Sequence, residues 1–173
     1  MNRILLSLAF VLLSQLSHAG PEQAPLVVWA NEAAVATYSF SYKNFLPDQK
    51  QIAKYFTSEG WMAYSKALTD SKLPESVQKN QYGVSAVPTL PPVITAIDST
   101  HWKAVMNLLV VYENPQYQQH QNLKVTINFG VAPEGQGVRG YSISSLQAVT
   151  SQPPCKCPIE EEEAMPANLG NAK

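Results

Sequence analysis

The stretch that decides the fold is HWKAVMNLLVVYENPQYQQHQNLKVTINFGV, residues 101–131. In both of its halves apolar residues recur at every second position, which predicts two β-strands. In the first half the intervening positions Val105, Leu109 and Val111 are apolar as well, so we expect a central strand covered on both faces. From Leu123 to Val131 the other positions are polar or glycine, so one face should pack inward. The segment ENPQYQQHQN (113–122) is expected to be the loop between them.

Weaker strand patterns lie on both sides of this pair. The segment QYGVSAVPTLPPVITAID (81–98) has strand character interrupted by three prolines. Because proline cannot donate to a strand ladder, this strand should be bent or lie at a sheet edge. The segment GYSISSLQAVT (140–150) predicts a last strand. The glycine-rich PEGQGVRG (133–140) is interpreted as a hairpin loop, because a phosphate site would need a helix behind it.

The N-terminal half has the periodicity of helices. The segment VVWANEAAVATYSFSYKNF (27–45) predicts a helix that ends near Asn44, ahead of Pro47. One face of this helix carries Trp29, Ala33, Ala36 and Phe40. Trp29 and Phe40 are its predicted core anchors.

The segment DQKQIAKYFTSEGWMAYSKALTD (48–70) predicts a helix, a break and a further helix, which begins at Thr57, a residue type that caps helix N-termini. Phe56 precedes the cap and Trp61 lies at the fourth helical position, the spacing of a hydrophobic staple. A shorter helix is expected around Pro74, since proline suits a first helical turn.

This order of elements predicts an α+β fold, in which N-terminal helices pack on a curved antiparallel sheet of about four strands. We expect one folded domain over residues 20–152. Residues 153–173 are rich in proline, cysteine and glutamate and are expected to form a disordered Cys/Glu-rich tail.

The first residues have the pattern of a secretory signal peptide. Arg3 precedes an apolar run from Ile4 to Leu16, and Ala19 offers a cleavage site, so residues 1–19 are the predicted signal peptide. The alternative is an uncleaved inner-membrane anchor, although the run is shorter than the ~20 residues that span a bilayer. The mature chain is therefore expected to be exported to the periplasm without a membrane span.

Charge and cysteine content exclude several classes of partner and cofactor. Residues 21–150 contain nine Lys or Arg and nine Asp or Glu, so no basic surface for nucleic acid is expected. Cys155 and Cys157 are separated by one residue and are interpreted as free thiols or as disulfide partners of another chain. No spacing typical of a metal or cofactor site is present, so none is predicted.

No catalytic grouping is evident in the sequence. Asp98 and His101 could form an acid–base pair, but the segment DSTH (98–101) is interpreted as a turn in which Asp and Ser bond their own backbone. His120, in the glutamine-rich segment, is expected to be exposed. Five aromatic residues of the helical half could serve an interface or a large aromatic core: Tyr38, Tyr42, Phe45, Tyr55 and Tyr64.

Several blocks of the sequence resemble the DotI/IcmL family of type IVB (Dot/Icm) secretion systems. The resemblance extends from Val28 to Ala148, and its most specific string is WANEAAVATYSF (29–40). The other blocks are YFTSEGWMAYSKAL, VSAV, PPVI, WKAVMNLLVVYENP and NLKVTINFGV.

This resemblance implies a periplasmic domain similar to the VirB-type assembly factor, with a nuclear-transport-factor-like (NTF2-like) or cystatin-like cone. It implies a non-enzymatic scaffold that forms homo- or hetero-oligomers with other secretion-system subunits. Family members of the main type have a transmembrane helix where this chain has a signal-like segment, so this chain is expected to be a soluble paralogue that joins the complex, with a membrane-anchored paralogue among its possible partners, or one that acts elsewhere in the periplasm. The predicted partner interface comprises Tyr38, Tyr42, Phe45, Lys124, Thr126 and Asn128.

Two other functions are left open by the sequence. A periplasmic small-ligand-binding protein or enzyme could use a pocket between helices and sheet, lined by Trp61, Met106 and Phe129. A periplasmic regulator could pair through an exposed sheet edge, for which the one-sided strand 123–131 is the motive.

Overall fold

The computed structural model describes residues 23–151. Within that range the helices are α1 Ala24–Thr37, α2 Phe45–Ala53, α3 Ser58–Asp70 and α4 Leu73–Asn80. The strands are β1 Phe40–Ser41, β2 Gly83–Pro88, β3 Val93–Ala96, β4 His101–Asn114, β5 Tyr117–Val131 and β6 Tyr141–Thr150. The predicted signal peptide (1–19), the predicted tail (153–173), Cys155 and Cys157 lie outside the described residues.

The α+β fold with helices packed on an antiparallel sheet is confirmed. The six strands form one sheet in the order β1-β2-β4-β5-β6, and β3 also pairs with β4. The sheet has more strands than the four expected from the sequence. The proline-rich segment 81–98 divides into β2 and β3, which pair with successive parts of β4, and β1 adds a short edge beside β2.

Strands β4 and β5 form one long hairpin. They pair along their whole length, from His101 opposite Gly130 to Asn114 opposite Tyr117. The prediction of a loop over residues 113–122 is therefore wrong, because the two strands extend through most of this segment. The Asn114 side-chain oxygen accepts hydrogen bonds from the backbone N–H groups of Gln116 (2.9 Å) and Tyr117 (2.8 Å), which closes a two-residue turn.

Helix α1 ends at Thr37, earlier than the expected stop near Asn44. Phe40 has left the helix and pairs with Val84 of β2, so a tertiary partner takes over its backbone. The core-anchor prediction is confirmed for both residues, since Trp29 is 1% and Phe40 is 5% exposed. Pro47 does not end a helix; it lies in the first turn of α2, where its missing N–H is not needed.

The predicted start of α3 is confirmed. Thr57 is the N-cap, and its hydroxyl oxygen accepts a hydrogen bond from the Gly60 N–H at 3.0 Å. The ring of Phe56 lies 5.8 Å from that of Trp61, so the staple forms. The short helix around Pro74 is also confirmed as α4.

The core lies between the helices and the inner face of the β4–β5 hairpin. Trp29 of α1 stacks on Phe129 of β5 with ring centroids 4.7 Å apart. The buried inner-face residues of the hairpin are Ala104, Met106, Leu108, Val110, Leu123, Val125, Ile127 and Phe129. Val131 was expected to continue this face but is 56% exposed, because it lies at the last paired position, where the chain leaves the sheet.

Candidate protein-interaction surface

The outer face of the sheet, which points away from the helices, carries an apolar patch. Val87 of β2 lies opposite Leu109 of β4, and Val93 of β3 lies opposite Val105. Val87 is 54% and Val93 is 67% exposed. Together with Val111 these residues form what we call the outer-face patch. Apolar side chains exposed on the face of a sheet are typical of protein–protein interaction sites.

The sequence indicated this patch only indirectly. The apolar intervening positions of β4 predicted a strand covered on both faces, and its central position is confirmed by its pairing with β2, β3 and β5. We expected other parts of the protein to cover the outer side chains Val105, Leu109 and Val111. In the described part of the chain these side chains are only half-buried, so the expected covering layer is not present there. Apolar residues without a complete cover are those that a partner could bury.

Polar side chains of β5 continue the same face. Lys124, Thr126 and Asn128 lie opposite Asn107, Val105 and Lys103 of β4, respectively. Lys124 is exposed and the other two are half-buried. The Asn128 side-chain amide donates a hydrogen bond to the Ser145 hydroxyl oxygen of β6 at 2.8 Å. Half of the predicted interface residues therefore lie beside the outer-face patch.

The other three predicted interface residues lie on the opposite side of the sheet. Tyr38, Tyr42 and Phe45 are half-buried against the core cluster. Phe45 packs edge-on against Phe40 with centroids 5.8 Å apart, and burial raises the pKa of the Tyr38 phenol. The structure thus separates the predicted interface into two groups.

The remaining aromatic residues of the helical half also pack inward. Tyr64 stacks on Phe56 with ring centroids 5.0 Å apart. Burial raises the pKa of the Tyr64 phenol most, and nearby Tyr112 raises it further. The aromatic-core interpretation, which the sequence left open, describes the packing of this half of the domain.

The turn at residues 98–101 forms as expected. Asp98 Oδ1 accepts a hydrogen bond from the Thr100 backbone N–H at 2.7 Å, and His101 Nδ1 lies 3.0 Å from the same carboxylate. These hydrogen bonds, led by the Thr100 backbone, lower the pKa of Asp98 to about 2. The Asp98 side chain is exposed, so the geometry serves a turn. His120 is exposed as expected, but it lies within β5.

The pocket that the alternative ligand-binding function would need between helices and sheet is occupied by side chains at the residues named for it. Phe129 is 0% and Met106 is 3% exposed, and Phe129 is covered by Trp29. Trp61 packs between Phe56 and Tyr64, at 5.8 and 5.6 Å. These three residues contribute to the core instead of lining an opening.

Polar contacts that the sequence did not reveal attach the glycine-rich loop to α1. Arg139 forms an ion pair with Glu32 at 2.8 Å, and the Tyr55 hydroxyl donates to the same carboxylate at 2.9 Å. Trp29 Nε1 donates to the Val138 carbonyl at 2.7 Å. Desolvation and the bond to Glu32 raise the pKa of Tyr55 to about 12. Partners so distant in sequence leave no local signal.

Comparison with known families decides the relationship. The sequence profile of the DotI/IcmL family, described as the type IVb secretion system inner-membrane complex component, matches residues 9–150. The chain belongs to the DotI/IcmL family. The resemblance found in the sequence blocks is thereby confirmed.

Solved structures agree with this family assignment. This DotI/IcmL-family chain is similar to an IcmL-like type IV secretion system protein from Legionella pneumophila subsp. pneumophila str. Philadelphia 1, with 62% identity over 80% of this chain and 99% of that chain, and a TM-score of 0.76. It is also similar to the periplasmic domain of DotI, with 28% identity, coverage of 78% and 99%, and a TM-score of 0.70. No curated protein matches.

A more distant likeness extends to the fold alone. CagV of Helicobacter pylori strain 26695, described as a VirB8 homolog, shares 13% identity over 73% of this chain and 99% of that chain, with a TM-score of 0.59. The VirB8-like cone implied by the resemblance is therefore the observed fold. Among residues 23–151, the helices are too short or too polar to cross a membrane.

Proposed function

We propose that this chain is a non-enzymatic periplasmic scaffold or accessory subunit of a type IVB secretion apparatus. The observation that carries the proposal is the family match over residues 9–150, together with 62% identity to an IcmL-like secretion protein. The related DotI fragment of known structure is a periplasmic domain, and the predicted signal peptide of this chain supports the same compartment.

The outer-face patch supports a role in protein–protein contacts. It combines exposed valines on β2 and β3 with half-buried apolar residues on β4. Polar groups of β5 border it on one side, and polar residues beside an apolar patch are typical of the margin of an interface. The proposed partners are other secretion-system subunits, including a membrane-anchored paralogue, in a homo- or hetero-oligomer.

The test is recovery of the tagged chain from envelope fractions under conditions that preserve the complex. We expect type IVB secretion subunits, identified by mass spectrometry, to be recovered with it. The double variant Val87→Lys with Val93→Lys should reduce this recovery at least tenfold, about 1.4 kcal/mol, because two charges would have to be buried in the contact. Both positions are exposed, so folding should be unaffected.

A matched control is available on the helical side. Leu46 is 72% and Met62 is 62% exposed, and Leu46→Lys with Met62→Lys adds the same charge without touching the sheet. This control should leave the recovery of secretion subunits unchanged. Absence of every secretion subunit from the wild-type sample would refute the proposed function, whereas equal losses in both double variants would refute the role of the outer-face patch.

A further inference from the structure

The two halves of the β6 outer edge differ in what covers them. In the first half, the Ile143 N–H donates to the Tyr55 carbonyl at 2.7 Å, and the Thr57 N–H donates to the Ile143 carbonyl at 2.9 Å. The chain segment before α3 therefore shields the start of β6. A register irregularity opposite Asn128 and Phe129 follows, and the second half, residues 145–150, runs on to the end of the sheet.

Backbone geometry shows which groups of this second half point outward. The Ser151 N–H donates to the Asn122 carbonyl of β5 at 2.8 Å. Backbone groups alternate in direction along an antiparallel strand, so residues 145, 147 and 149 also face β5. The N–H and C=O groups of Leu146, Ala148 and Thr150 consequently point away from the sheet. We call residues 145–150 on this side the β6 edge.

The β6 edge lacks the features that usually prevent strand pairing. Residues 141–151, YSISSLQAVTS, contain no charged residue, proline or glycine, and Val149 is 68% exposed. Proteins commonly protect sheet edges with charges, prolines or very short strands. Strand β3 shows such protection, since it has four residues and follows Pro91 and Pro92. The β6 edge is by contrast suited to accept another strand.

We propose that the β6 edge pairs antiparallel with the β6 edge of a second copy of this chain, across a two-fold axis near Ala148. In this register Ala148 meets Ala148 of the second copy, and Leu146 meets Thr150 of the second copy. The outward N–H and C=O groups of three residues in each copy then form about six hydrogen bonds between chains. The two sheets become one continuous sheet.

A second copy fits this edge for reasons of symmetry and charge. When two identical strands pair across a two-fold axis perpendicular to the sheet, the axis reverses the strand direction, so the pairing is antiparallel. It also places each side chain close to side chains of the same strand in the second copy, so a strand with charges of one sign would repel itself. The β6 edge carries no charged residue. The charged residue nearest to it in the β5–β6 pairing is Lys124, which lies on β5 opposite Val149. On the outer face, Val149 would pack against Gln147 of the second copy.

The inference names one partner for the proposed scaffold, but it can fail independently of the proposed function. The self-association of purified protein reports on the β6 edge, whereas the recovery of secretion subunits reports on the proposed function. A monomer that still recovers secretion subunits would refute only the pairing.

The experiment is sedimentation of the purified exported chain from about 1 to 500 µM, which spans about 3.7 kcal/mol in association free energy. We expect a monomer–dimer equilibrium. Ala148→Pro removes an outward N–H and should weaken dimerisation at least tenfold. Ala96→Pro is the matched control, because Ala96 is an exposed alanine of β3. The N–H of the next residue, Ile97, donates to the His101 carbonyl of β4 at 2.9 Å, so the N–H of Ala96 points away from β4. It should leave the dimer unchanged.

A second variant keeps the test valid if Ala148→Pro does not fold. Val149→Lys alters an exposed side chain and should weaken the dimer in a salt-sensitive way. Amide exchange of Leu146, Ala148 and Thr150 should slow as the protein concentration rises. The proposal is overturned if the protein is a monomer at every concentration, or if Ala148→Pro and Ala96→Pro have equal effects. It is also overturned if amide protection does not depend on concentration, which is what a covering segment of the same chain would give.

Discussion

Gly60→Ala tests how closely α3 packs against β6. Gly60 lies in the first turn of α3 and is buried. A Cβ atom at this position would lie 2.5 Å from the Ile143 carbonyl oxygen, 3.0 Å from that of Ser144 and 3.1 Å from Thr57 Oγ1. Two of these three neighbours are backbone atoms, so a side-chain rotation cannot remove the clash.

The magnitude follows from two opposing effects. Alanine is favoured over glycine in a helix by up to about 1 kcal/mol, less in the first turn. Against this, overpacking costs about 1–3 kcal/mol. A displacement of α3 would also strain the hydrogen bonds of Ile143 with Tyr55 and Thr57, each of which contributes about 0.5–1.5 kcal/mol. We expect a net loss of about 1–3 kcal/mol, or a lowering of Tm by about 3–10 °C.

The assay is urea and thermal unfolding of the wild-type chain and the Gly60→Ala variant. Gly83→Ala is the matched control, because its nearest neighbours, both in Glu113, would be 3.9 and 4.0 Å from the new Cβ. This substitution should be neutral or slightly stabilising. A Gly60→Ala variant as stable as wild type, or more stable, would refute the close packing inferred between α3 and β6.

Two further predictions concern the contacts around this junction. Thr57→Ala should lower the free energy of unfolding by about 1 kcal/mol, because the Gly60 N–H loses its capping oxygen; Thr57→Ser should retain most of it, and equal urea midpoints for the two variants would contradict this. Tyr55 has a pKa of about 12 in the folded protein, against about 10 in an unfolded chain. The folded state therefore holds the phenol proton more tightly, and the resulting stability is complete below pH 10 and lost as the pH rises toward 12. Urea midpoints measured between pH 8 and 11.5 should fall less steeply for Tyr55→Phe than for wild type, and identical slopes would contradict the raised pKa of this phenol in the folded protein.

Local patterns were enough to predict much of the fold. The period of two in residues 101–131 determined the central hairpin, because alternate side chains must enter the core or avoid it. The cap at Thr57 and the staple between Phe56 and Trp61 depend on residues within one helical turn of each other. The sequence predicts such features well, since the interacting residues lie close together in the chain and form a recognisable local pattern.

The interaction surfaces were less accessible to sequence reasoning. The sequence placed Lys124, Thr126 and Asn128 on one strand face, and that face is accessible. It did not separate them from Tyr38, Tyr42 and Phe45, because only the packed domain shows which side of the sheet the helices occupy. The one-sided strand 123–131 suggested edge pairing, but β5 is paired with both β4 and β6, so among residues 23–151 the edge of the sheet beyond β5 belongs to β6.

The sequence by itself determined the α+β class, the inward faces of the long strands, the main helix start and the family. These depend on side-chain periodicity and short-range capping, which any chain with these residues must satisfy. Tertiary structure alone decided that Phe40 leaves the helix to pair with Val84 and that Gly60 meets the backbone of β6. It also decided which backbone groups of β6 point outward. Each of these outcomes depends on a partner distant in sequence, and such a partner can be chosen only when the whole core packs.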